Sequence, residues 1–382
     1  KYTQVFFLRS QRMKNNYQIS PILFYYWKIL GICPFVLDDS QIIKRSISGI
    51  LYTLLLIASY TYCYTRVFAS QISNFLSHLT LMVVILDGIG IGLEYCVVIV
   101  IWIYSLIHQN KLRYILNNFK NNTNNAIALG MKKIPTCIIR QMQICLLLQN
   151  LYTIIITTFS YWTLWYYEMS KFDLATTISF NIPRPISLNL ITIYIFSLKI
   201  IKEQFIFINE SIRRLPNYIN DRNTLERYRK QRLNVREINN WLKKYDQLHT
   251  DLCDFVLTLT KFLALPILIT LAFQFAQSIV NIYLTVIFIN EHHDNLARKI
   301  ASITMVLGWL LIRMINILFI LDVCDSTCAE ANRIANVSHE TWASGALNGF
   351  KEEFDRLLRK KLEIKLYGAI ALNYELQYKN VC

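Results

Sequence analysis

Residues 202–251, KEQFIFINESIRRLPNYINDRNTLERYRKQRLNVREINNWLKKYDQLHTD, lead without a glycine or a second proline after Pro216 into residues 255–275, FVLTLTKFLALPILITLAFQF. A charged helix here passes straight into an apolar one. From Val235 the apolar side chains recur at Ile238, Leu242, Tyr245, Leu252 and Val256, with His249 in one place of the series, which is the three-and-four spacing of a helical seam. A charged helix that keeps one apolar stripe up to a membrane-length run requires a protein partner outside the bilayer. The stretch from Lys202 to Phe288 therefore predicts a membrane protein, helical throughout, with a cytoplasmic packing region and an oligomeric state.

Composition agrees. Of 382 residues, 54% are hydrophobic and 17% charged, with a mean hydropathy of +0.32, too apolar for an ordinary soluble domain. A net charge of +15 raises nucleic acid as a partner. The basic residues lie between apolar spans rather than on a polar fold with groove-reading motifs, which excludes that class. Nine scattered cysteines without a CxxC pair indicate neither a disulfide framework nor a metal site. No phosphate-binding loop, nucleophile elbow, metalloprotease helix or dinucleotide fingerprint occurs, so no enzyme and no cofactor are expected. The chain opens on Lys1 without a cleavable signal pattern, which predicts a fragment edge there.

Six spans of bilayer length are readable: 46–65, one within 79–108, 141–161, 175–198, 255–288 and 300–323. The second is overlong and carries Asp87, Glu94, Gly88, Gly90 and Gly92, so it is either tilted or broken. The fourth holds Pro183, Arg184 and Pro185, which predicts a ragged start. The domains expected are a cytoplasmic segment 1–45, transmembrane helices one to four in 46–201, a cytoplasmic helical extension 202–254, helices five and six in 255–323, and a cytoplasmic helical tail 324–382 leading toward a seventh helix. Lys and Arg number seven, six, eleven and eight in 1–45, 108–140, 202–244 and 324–382, against five on the opposite side. That asymmetry places the N-terminus in the cytoplasm of a multi-pass protein. The glycosylation triplets at Asn121, Asn209 and Asn336 then all lie on the cytoplasmic side.

Charges at membrane depth are the first functional candidates, because they are costly there and are paired or line water. Asp87 and Glu94, seven apart, share a helix face. Glu94 lies about 22 Å into its span at ~1.5 Å per residue, near the depth of Arg313. We therefore expect a Glu94–Arg313 pair, with Asp87 facing a water-filled ligand pocket; the alternative has Arg313 reaching the cytoplasmic side. Tyr161, Trp162 and Trp165 form either an interfacial belt or aromatic walls of that pocket. Gln274, Gln277 and Asn281, with Thr304 from the sixth span, supply its polar groups or act as glue between helices.

Four segments resemble the insect gustatory receptor family: KILGICPF (28–35) before the first helix, LHTDLCDFVLTLTKFLALPIL (248–268) in the fifth, DVCDSTCAEANRIANV (322–337) leaving the sixth, and FKEEFDRLLRKKLEIKLYGAIALNYELQY (350–378) approaching the seventh. Their order and spacing carry the resemblance over nearly the whole chain. The family's Thr-Tyr and Gln-Phe pairs of the seventh helix are missing, and Gln274-Phe275 lies in the fifth span instead. The resemblance implies a plasma-membrane receptor for a small-molecule tastant, acting as a ligand-gated non-selective cation channel built as a homo- or hetero-tetramer around a central axis. The chain as given would lack most of its pore helix. Alternatives are a G-protein-coupled-type receptor, a secondary transporter, or a truncated non-conducting subunit. The first is disfavoured by the inverted orientation and the lack of Asp-Arg-Tyr after the third span, the second by the lack of repeats.

Overall fold

The computed structural model describes residues 21–37, 43–75, 81–131, 136–168, 182–226, 235–290, 296–343, 361–366 and 370–371. In order these form α1 (Pro21–Ile29), β1 (Phe35–Leu37), β2 (Ile43–Arg45), α2 (Ile47–Phe75), α3 (Leu81–Ile107), α4 (Gln109–Ala128), α5 (Thr136–Glu168), α6 (Pro183–Glu226), α7 (Val235–Asn290), α8 (Leu296–Asn332), α9 (Ile334–Ala343), β3 (Lys365–Leu366) and β4 (Ile370–Ala371). The fold is an all-α membrane bundle. Two small antiparallel pairs, β1 with β2 and β3 with β4, depart from the expectation of helix throughout.

The decisive stretch divides between two helices, its residues up to Glu226 ending α6 and those from Val235 opening α7. α7 runs unbroken through 56 residues, about 84 Å at 1.5 Å per residue, far beyond the ~30 Å core of a bilayer. Its seam residues Ile238, Leu242, Tyr245, His249, Leu252 and Val256 are all buried. Their partners are α6, α8 and the tail of the same chain. The Phe205 ring lies 5.3 Å from His249, and Phe207 lies 6.2 Å from Tyr245. His249 Nε2 is 3.1 Å from Ala331 O; a carbonyl only accepts, so Nε2 carries the hydrogen. The stripe that sequence alone assigned to subunit assembly is thus satisfied within one chain, because α6 and α8 extend past the membrane beside it. Leu362 and Ile364 from the tail join the same core.

α2 and α5 have the opposite character. Leu51, Leu54 and Leu55 on one, and Leu147, Leu148, Ile154 and Ile155 on the other, are exposed. Patches this apolar mark a lipid-facing surface in a chain of such composition. Among the described residues four stretches are long and apolar enough to cross a membrane, Ile47–Ala69, Cys137–Phe159, Ile238–Tyr283 and Ile303–Trp342, and a bent pair makes a fifth. Six complete spans were expected. The missing one, 175–198, falls outside the described residues up to 181 and then enters α6, which carries Arg184, Asn189 and Lys199. Leu190, Ile191, Tyr194 and Leu198 of α6 are buried by neighbouring helices, so this helix is shielded from lipid and tolerates polar residues.

The second span does not break at its glycines. Gly88, Gly90 and Gly92 lie inside α3, and the chain turns by 78° only where α3 meets α4 at His108. α4 then ends on a left-handed Gly130 (φ 106°), with Gly130 N donating to Ile127 O and Met131 N to Ala126 O, each at 3.0 Å. These two bonds satisfy carbonyls that a helix end otherwise orphans. Asn209 is buried, and its Nδ2 donates to Glu330 O and Oε1 at 2.9 Å, leaving no room for a glycan.

Candidate functional site

α6 begins Pro183-Arg184-Pro185, and a proline suits the first helical position because its missing N–H would be unpaired anyway. That start fixes Arg184 in the first turn, against α3 and α8. Its Nε lies 4.0 Å from Glu94 Oε1. Its guanidinium sits 3.9 Å from the centre of the Trp309 ring, a stacking geometry favourable to a cation. Glu94 is buried on α3, and Arg313 is buried on α8, one turn from Trp309. The Arg313 guanidinium is 5.9 Å from the Phe273 ring of α7.

The contact expected between Glu94 and Arg313 is therefore corrected in its partner. Within 4.0 Å the carboxylate meets Arg184, while Arg313 acts on it from farther off as the second charge in its field. Arg184 was counted in the sequence as a charge at the start of a span, and the proline pair that draws it into the bundle was the available signal. The cluster holds two cations and one anion. Among the described residues, Glu94 Oε2 and Arg313 Nη1 are buried with no hydrogen-bond partner. A buried charge with an unfilled hydrogen-bonding position costs several kcal/mol unless something satisfies it.

α7 adds a buried polar stripe. Gln274, Ser278, Asn281 and Thr285 follow at helical spacing; Ser278 donates to Gln274 O at 2.7 Å and Thr285 to Asn281 O at 2.8 Å. Gln274 Oε1 and Asn281 Nδ2 are buried without a hydrogen-bond partner among the described residues. Gln277 is half-buried. Thr304 does not join this group. It is exposed, and its hydroxyl donates back to Ile300 O at 2.8 Å. Trp162 is likewise exposed, beside Phe159 at 6.0 Å, which is the placement of an interfacial ring rather than a pocket wall. The side chains of Asp87, Tyr161 and Trp165 lie outside the described residues.

A second polar system ties the helices together below the charges. Gln149 of α5 accepts from Thr192 of α6 at 2.7 Å and donates to Asn316 of α8 at 3.0 Å. Tyr26 of α1 donates to Asn150 at 2.7 Å and accepts from Asn189 at 3.1 Å. These bonds tie four helices together, although Asn189 Oδ1 is itself buried without a hydrogen-bond partner among the described residues. The charge cluster differs in carrying ionised groups: it presents both a cationic face and acceptor oxygens. Among the described residues no group of three His, Cys, Asp or Glu is placed to hold a metal ion.

No curated protein sequence matches the chain. Among solved structures, the insect olfactory receptor OR5 from Machilis hrabei aligns over 94% of this chain and 93% of its own, with a TM-score of 0.60 and 12% identity, a likeness of fold. The family model of the 7tm chemosensory receptors matches residues 21–382. The chain belongs to the 7tm chemosensory receptor family.

Proposed function

We propose that this chain is a gustatory receptor subunit of the plasma membrane, a ligand-gated non-selective cation channel that works as a homo- or hetero-tetramer with its N-terminus in the cytoplasm. The observation that carries the reading is the Glu94–Arg184–Arg313 cluster, Glu94 and Arg313 buried and Arg184 half-buried, where α3, α6 and α8 meet beside α7. A tastant bearing hydrogen-bonding groups fills the open positions on Glu94, Arg313, Gln274 and Asn281, with Gln277 at the margin and Asp87 on the same face of α3 as Glu94. Its binding shifts α8 against α7, whose continuous rod carries the displacement to the cytoplasmic region. A ligand acts in this way by favouring the conformation to which it binds more tightly. Tyr161 and Trp165 stand in this reading as the aromatic rim of the ligand path.

The test is whole-cell recording from cells expressing the receptor, exposed to a panel of sugars, polyols and bitter compounds. Ligand-evoked cation currents, independent of G-protein blockade, support the reading. Responses that require G proteins, or ligand-coupled uptake without current, contradict it.

A further inference from the structure

A cavity of about 140 Å³ lies in the half of the bundle nearer the α3–α4 bend, away from the charge cluster. Its α4 wall is the helical stripe Leu112, Ile115, Leu116 and Phe119; Phe262 of α7 and Phe196 of α6 face the same space. An apolar cavity of this size and lining stays dry and accepts an apolar guest. The side toward lipid is thin. α5 packs on α6 and α8 but scarcely on α3 or α4, and it is the helix whose outer face is exposed apolar surface.

Two cations lie against rings of its wall. Lys111 Nζ lies 5.9 Å from the centre of the Phe262 ring, and Lys199 Nζ lies 5.4 Å from that of Phe196. Among the described residues neither lysine forms an ion pair within 4.0 Å. We infer that this cavity binds the acyl chain of an anionic membrane amphiphile, which enters between α5 and α4 and holds its charged head at Lys111 and Lys199. Apolar walls alone would accept any chain; the two lysines select the charge.

The experiment uses the purified full chain in neutral vesicles and a long-chain fatty acid carrying a diazirine midway along its tail. Photolabelling should be saturable and map to the peptides holding Leu112–Phe119 and Phe255–Pro266. Oleate or phosphatidylserine should compete, and whichever does so better identifies the natural source; oleyl alcohol and phosphatidylcholine should compete less. Lys111→Gln with Lys199→Gln should weaken the anionic competitor about tenfold and leave the neutral ones unchanged. Ser197→Trp and, separately, Leu116→Trp should fill the cavity and reduce labelling, with thermal melting as the check on folding. Labelling confined to the exposed faces of α2 and α5, labelling unaffected by both fillers in folded protein, or equal competition by acid and alcohol would overturn the inference.

Discussion

Tyr104 donates its hydroxyl to the carbonyl of Phe262 at 2.6 Å, across the contact between α3 and α7. Phe262 is four residues before Pro266, and a proline has no N–H to give to that carbonyl. The tyrosine supplies the missing donor, and α7 passes through the proline as one continuous helix. The Thr270 hydroxyl also donates to Pro266 O at 2.7 Å, the back-bond common to a helical threonine.

Tyr104→Phe should therefore destabilise the protein by about 1 kcal/mol. In a Pro266→Ala background the helical N–H returns, and the same tyrosine substitution should then cost markedly less. A double-mutant cycle by thermal melting in detergent measures the difference; equal costs in both backgrounds would contradict the pairing.

Removing the carboxylate from the charge cluster leaves the buried Arg313 and the half-buried Arg184 without their shared anion. Glu94→Ala should cost about 3–5 kcal/mol, the range for breaking a buried ion pair by deleting one partner. In double-mutant cycles the coupling of Glu94 to Arg184 should exceed its coupling to Arg313. The reverse order would restore the pairing that the sequence alone favoured.

Asn332 clamps the tail with both halves of its amide. Its Nδ2 donates to Leu362 O at 2.9 Å, and Leu362 N donates to its Oδ1 at 2.8 Å. Asn332→Leu should free residues 361–366, with faster hydrogen exchange at Leu362 by the equivalent of about 1–3 kcal/mol. Lys365, hydrogen-bonded at 2.6 Å, and then Lys361 hold the Glu363 carboxyl below its ordinary range. A depressed carboxylate helps the folded tail above its unfolded value, near pH 4, and that help is lost as pH falls through the lower folded value. Acidification should accordingly add to the loosening produced by Asn332→Leu.

Gly308 permits the close approach of α5 to α8. A Cβ there would meet Ile156 Cδ1 at 2.9 Å and Tyr152 Oη at 3.1 Å, and the Tyr152 hydroxyl donates to Gly308 O at 2.6 Å. Gly308→Ala should cost about 1–3 kcal/mol through overpacking. Ile156→Val removes the offending methyl and should recover part of the loss, read as a rise in melting temperature of the double variant.

The seam of α7 was legible because helical periodicity is local: Ile238 to Val256 follow one stripe, and each of them is buried. Its partners were legible only as segments: the sequence points to the tail at 350–366 and to the cytoplasmic ends of helices four to six, but as contacts between subunits. Nothing in the spacing says that α6 and α8 continue beside it and close the stripe within the chain. Glu94 and Arg313 were identifiable from depth alone, whereas Arg184 was assigned to the edge of a span, since only tertiary packing turns a charge in a Pro-Arg-Pro start into the bundle. The bend at His108 escaped notice because the glycines of α3 offered a more familiar breaking point. Thr304 was read as a polar group of the pocket or as glue between helices, and it is neither, since residue type alone does not fix which way a helix faces.

The central claim is that the Glu94–Arg184–Arg313 cluster senses the ligand of a channel. The direct measurement is the concentration dependence of ligand-evoked current in cells expressing the receptor or its Glu94→Gln variant at matched surface levels. The account predicts that the half-maximal ligand concentration rises about tenfold, the effect of losing one charged hydrogen bond, while the reversal potential stays unchanged. An unaltered dose response with an altered reversal potential would contradict it, placing Glu94 in the ion path rather than the ligand site.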